Sequence, residues 1–196
     1  MKKGFTSHQF FLKNSGVHPI RGGAGFTLIE ILVYIAVLVI IISTISAFFL
    51  WAVRSNTKAK VMRETLDNAQ RAMEMMTYEI KEAKSIYTET SAFDFSPGQL
   101  SLETTHYLPE EENTTYIDFY LCGTQLCFKK ESQNPIAFTS DRVEVNNLVF
   151  SRINTGDTPS IQIDLNVDYK NPRGRSEYQA SVNLKSTTSL RSYNEP

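Results

Sequence analysis

Three sets of residues in this chain are typed and spaced for chemistry. The first centres on Glu30, the one charged residue between Phe26 and Val53. An acid inside a membrane costs about 2.5–3.5 kcal/mol at the centre and less near an interface, so Glu30 needs a partner or headgroup water. It closes the string Gly25-Phe26-Thr27-Leu28-Ile29-Glu30. A glycine at its head leaves the backbone open to a protease and breaks the helical register before it. The second set is Cys122 and Cys127, separated by four residues, with Gly123-Thr124 available for a tight turn. Outside the cytoplasm such a pair reads as a disulfide, and a bridge over so short a loop stabilises by about 2 kcal/mol. Free thiols are the alternative. A metal lacks further ligands, because His106 is the one histidine beyond Phe26.

The third set is sparse. A Ser-His-Asp site would have to use His106, and a lone histidine in a strand-like segment is more often a packing or surface residue. No glycine-rich phosphate loop and no zinc spacing occur. Asp164 and Asp168 alternate with apolar residues and read as solubilising. The turn Lys170-Asn171-Pro172-Arg173-Gly174-Arg175 has the charge to meet DNA phosphates, but the acidic balance around it argues against nucleic acid as a partner. We expect neither an enzyme nor a cofactor.

The elements that must position these residues follow from charge and period. The chain has 196 residues, net charge −1 and 41% hydrophobic residues, unevenly spread. Residues 1–25 carry four bases and no acid, residues 54–90 seven bases and six acids, residues 91–196 nine bases and fourteen acids. Between the first two lie 28 residues with one charge. As a helix they span roughly 42 Å, enough for a hydrocarbon core of about 30 Å. The run is too long for a cleaved secretory signal. The basic flank before it places the N-terminus in the cytoplasm and the rest outside.

The junction resembles the class III signal of type IV pilins and type II secretion pseudopilins. That resemblance implies cleavage between Gly25 and Phe26 by a prepilin peptidase, N-methylation of Phe26, and retention of the apolar run. Cleavage gives Phe26 a positive amine. In the family the glutamate matching Glu30 pairs with that amine of a neighbouring subunit during filament assembly. The implied partners are the peptidase, other pilin or pseudopilin subunits and the inner-membrane assembly machinery. The implied location is the cytoplasmic membrane in a single pass, then a surface or periplasmic filament. Lys2-Lys3-Gly4-Phe5-Thr6 looks like a second signal, but no acid or apolar run follows it, so Gly4 is expected to stay uncut. Many major pilins have a helix-breaking Gly or Pro in the apolar helix. None occurs here between Phe26 and Ser96. A minor subunit, similar to J-type pseudopilins, fits better. An uncleaved, membrane-anchored binding domain is the alternative.

Beyond the apolar run, Met62, Leu66, Ala69, Met73, Met76, Ile80, Ala83 and Tyr87 recur at steps of four and three. That spacing makes one stripe of a helix expected to reach about Tyr87. Arg63, Asp67, Arg71, Glu74, Lys81 and Glu82 lie opposite. The stripe is expected to cover the chain's own sheet. Packing on sister subunits and a coiled coil are the other outcomes. Ser96-Pro97-Gly98 marks the end of the helical region. Thr115–Leu121, Val143–Ile153 and Ser160–Tyr169 read as strands, with a looser one within Gln99–Leu108. Tyr169 and Tyr178 flank the turn of a last hairpin. Pro109-Glu110-Glu111-Glu112-Asn113 reads as an exposed acidic loop. The expected fold is α+β and pilin-like: leader 1–25, membrane helix 26–53, amphipathic helix 54–90, and an antiparallel β-sheet head 91–196 with one wet face.

Overall fold

The computed structural model describes residues 25–108, 113–155 and 158–191. The leader up to residue 24 and the acidic residues Pro109–Glu112 lie outside the described residues. One compact unit ends at Ser46 and a second begins at Ala47.

Helix α1 runs unbroken from Leu28 to Glu82, 55 residues without a Gly or Pro. Among the described residues eight strands follow: β1 (Ser85–Ile86), β2 (Leu100–Thr104), β3 (Thr115–Cys122), β4 (Gln125–Lys130), β5 (Ile136–Ala137), β6 (Val143–Thr155), β7 (Thr158–Tyr169) and β8 (Ser181–Ser189). All pairings are antiparallel. The fold is α+β and of the expected pilin-like kind: one long N-terminal helix, packed through its C-terminal half against antiparallel sheets.

The head holds two sheets where one was expected: β1-β2-β3-β4-β5 and β6-β7-β8. Backbone competition explains the split. The outer edge of β6 is taken by the loop before β2, where Asp94 N–H donates to the Phe150 carbonyl at 2.8 Å and Gly98 N–H to the Leu148 carbonyl at 2.8 Å. A Cβ on Gly98 would stand 3.1 Å from the Leu148 carbonyl oxygen, so glycine is what permits this approach. The two sheets and α1 share one core. Ala69 and Ala72 bring the helix close, and Met73 and Met76 fill the remaining gaps. From β7, Ile161, Ile163, Leu165 and Val167 are all fully buried, as strict alternation predicts.

Two further expectations need correction. The helix stops at Glu82, short of Tyr87. Lys84 and Tyr87 instead donate their N–H groups to the Glu103 and Ser101 carbonyls, which commits Ser85–Ile86 to the edge of β2. The Lys81 carbonyl, an orphan of the last helical turn, accepts from Arg191 N–H at 3.1 Å, and the Arg191 guanidinium meets Glu82 at 2.8 Å. The stripe is also rotated. Met62 and Tyr87 are exposed, and the buried line runs through Val61, Thr65, Asn68, Ala72 and Glu79 as well. Polar residues join it because each finds a partner: Thr65 Oγ1 donates to the Val61 carbonyl, and Asn68 Oδ1 accepts from Ser140 N–H on the sheet side.

Candidate processing and anchoring site

Gly25, Phe26 and Thr27 are exposed and precede the helix. Thr27 is its cap. The Thr27 hydroxyl oxygen accepts from Glu30 N–H at 3.3 Å, and the Thr27 carbonyl accepts from Ile31 N–H at 3.2 Å. Thr27-Leu28-Ile29-Glu30 therefore has the spacing of a capping box, with the acid on the positive end of the helix dipole. The carboxylate does not reach back to the cap, however. Its Oε1 accepts from the Tyr34 hydroxyl at 2.9 Å, one turn on. The Tyr34 ring meets Phe26 edge to face with centroids 6.4 Å apart. Sequence reasoning singled out Glu30 and missed Tyr34, although the i, i+4 spacing was there to be read.

Gly25 differs from the other described glycines. Gly98 is held by close contact, and Gly123 and Gly174 have φ of +65° and +61°. Among the described residues, a Cβ on Gly25 would meet nothing within 4 Å. No contact among the described residues demands a glycine there.

Among the described residues nothing buries the apolar run. Twenty large apolar side chains from Phe26 to Val53 are 44–79% exposed. Mean hydropathy reaches 2.8, and none of that window is buried. Burying a Leu, Ile, Val or Phe side chain is worth about 1.5–3 kcal/mol. Tens of kcal/mol therefore favour covering this surface with lipid or with other helices. The helix is long and apolar enough to cross a membrane.

In the head, Cys122 and Cys127 are bridged, Cα atoms 5.8 Å apart, across the Gly123-Thr124 turn of the β3–β4 hairpin. The hairpin tip is tied to the second sheet, since Thr124 accepts from Val145 N–H at 2.8 Å. The strand β4 after this turn was not foreseen, because Cys-Gly-Thr reads as loop. Asp164 lies 3.8 Å from Lys185, and Asp168 accepts from Asn146 at 2.6 Å, so both are half-buried in polar contacts on a face expected to be wet.

His106 is half-buried with its ring against Tyr107. Beside it lies a cluster that periodicity did not reveal. Glu79, 1% exposed on α1, accepts from the Tyr107 hydroxyl at 3.0 Å, and Lys130 Nζ stands 3.4 Å from the Tyr107 ring centroid. Burial raises the Glu79 carboxyl above its ordinary value, opposed by the tyrosine bond and by His106 and Lys130. Burial and the hydrogen bond to Glu79 push the Tyr107 phenol up to about 12. Among the described residues no group of His, Cys, Asp and Glu is placed to hold a metal.

Comparison with known family models, characterised proteins and solved structures returns no match.

Proposed function

We propose that this chain is a minor, prepilin-like structural subunit of a type IV pilus-like or type II secretion filament. It is cut after Gly25 by a prepilin peptidase and N-methylated at Phe26. One observation carries the reading: an exposed apolar helix opens on Gly25-Phe26-Thr27-Leu28-Ile29-Glu30, and no close contact among the described residues holds the glycine in that string. A glycine that no close contact holds is one that a processing enzyme can require. The subunit works by packing. Apolar helices leave the bilayer together, and Glu30 of one subunit meets the Phe26 amine of the next.

The orientation follows from the head. Bases flank the run on both sides, including Arg54, Lys58, Lys60 and Arg63, so charge asymmetry alone is a weak guide. The Cys122–Cys127 bridge belongs in an oxidising compartment. That supports a head outside and a leader in the cytoplasm.

A second reading is an uncleaved, anchored binding domain. It is favoured by the bond from Tyr34 to Glu30, which gives the acid a partner within its own chain. Co-expression with a prepilin peptidase separates the two. The filament reading expects loss of residues 1–25 plus one methyl group, abolished by Gly25→Leu. An unchanged mass in both chains supports the anchored domain. Glu30→Ala is expected to be processed yet fail to enter filaments, and normal incorporation would remove the pairing step.

A further inference from the structure

The β7–β8 connection is held in one shape. Asn171 accepts from Arg175 N–H at 3.0 Å and donates to the Arg175 carbonyl at 2.7 Å. Gly174 supplies the left-handed residue between them, with φ +61°. Tyr169 and Tyr178 stack across the base, centroids 6.1 Å apart. With Lys170, Arg173 and Arg175 they line a shallow concavity of about 240 Å³.

This loop meets α1 where the apolar run stops. Trp51, Arg54, Ser55 and Lys58 of the helix share a second concavity with Ser176 and Glu177 of the loop. Trp51 is 65% exposed. From Arg54 to Arg63 the helix carries four bases and no acid. Residues 91–196 have nine bases against fourteen acids, yet three of those bases fall within Lys170–Arg175. Acids also stand beside the loop: Glu177 lies 3.9 Å from Arg175, and Glu144 and Asp168 line a separate concavity with Tyr169 and Asn171. An acidic head thus gathers cations, a tryptophan and two stacked tyrosines at the end that adjoins the apolar helix. Trp and Tyr are the residues that settle at a membrane–water interface, and Lys and Arg beside them attract anionic headgroups.

We propose that the β7–β8 loop and residues 51–63 form a collar that binds anionic phospholipid headgroups of the bilayer holding the same chain. The proposal rests on residues 26–53 spanning that bilayer. The collar fixes the head against the membrane surface before assembly. Its attraction must be given up when the subunit leaves the bilayer, so lipid charge sets how readily it departs.

Amide exchange of the full chain in nanodiscs tests this. One set contains phosphatidylcholine alone and the other phosphatidylcholine with phosphatidylglycerol. Each cation near an anionic surface strengthens binding by about fivefold. Exchange across residues 170–178 is therefore expected to slow by about fivefold or more in the anionic discs. Arg173→Gln with Arg175→Gln should erase that protection, and Arg152→Gln, an exposed base elsewhere in the head, should not. Equal exchange in both lipids, with residues 32–50 protected, overturns the collar and leaves the anchor intact. So does protection reproduced by inorganic phosphate in phosphatidylcholine discs, which would mark a free-anion site. Unprotected amides across 32–50 overturn the anchor and the collar together.

Discussion

The two halves of α1 obey opposite rules. From Leu28 to Val53 nearly every side chain is apolar and none is buried by the described residues. From Val61 to Ala83 apolar residues are fewer, yet those on one face, with Thr65, Asn68 and Glu79, are sealed against the sheets. Hydrophobicity alone does not decide burial within the chain. The second half is buried because its pattern selects one face, and small Ala69 and Ala72 let that face approach a sheet. The first half selects no face, so it suits a surrounding that is apolar on all sides.

That contrast is sharpest at two isoleucines. Ile80→Ala, in the sealed half, is expected to cost the head about 2–5 kcal/mol. Ile40→Ala, in the bare half, should leave head stability within about 0.5 kcal/mol. Denaturant melts of both variants in the same detergent decide it, and equal losses would break the division. Opening the Cys122–Cys127 bridge with Cys122→Ser is expected to cost about 2 kcal/mol, read from the same melts and matched by adding reductant to the parent chain.

The Glu79–Tyr107 pair gives a smaller effect with a sign. Glu79 has a raised carboxyl in the folded state, so the folded head binds its proton more tightly than the unfolded chain. Stability from this group is full at pH below the ordinary carboxylate value and is lost as pH rises through the folded one. Glu79→Gln should flatten that fall, seen in melts across the acid range. A parent curve that rises with pH there and is unchanged by the substitution would remove the assignment. Tyr107→Phe takes a donor from the buried carboxylate and is expected to cost about 1 kcal/mol at neutral pH.

Much of this was legible in the sequence, for reasons of period. The unbroken helix was readable from the absence of Gly and Pro, and β7 from five apolar residues at strict alternation. The Tyr169–Tyr178 hairpin was readable from its turn, though β8 starts only at Ser181 because Ser176–Tyr178 form a 3₁₀ turn. What failed was non-local. Nothing near Ser85 announces that it will leave the helix to pair with Glu103, and nothing in β6 announces that the Gly98 loop will take its edge. Glu79 hid because a charged residue reads as surface until its partners, 28 and 51 residues away, are placed beside it. At the candidate site Gly25, Phe26 and Glu30 came from the motif, and Tyr34 went unread inside an apolar run.

The most direct measurement is the mass of the fragment left in the membrane when sealed spheroplasts are shaved with protease. The account predicts a protected peptide that begins at a methylated Phe26 and ends shortly after Val53. A protected peptide still carrying residues 1–25, or no protected peptide at all, would contradict it.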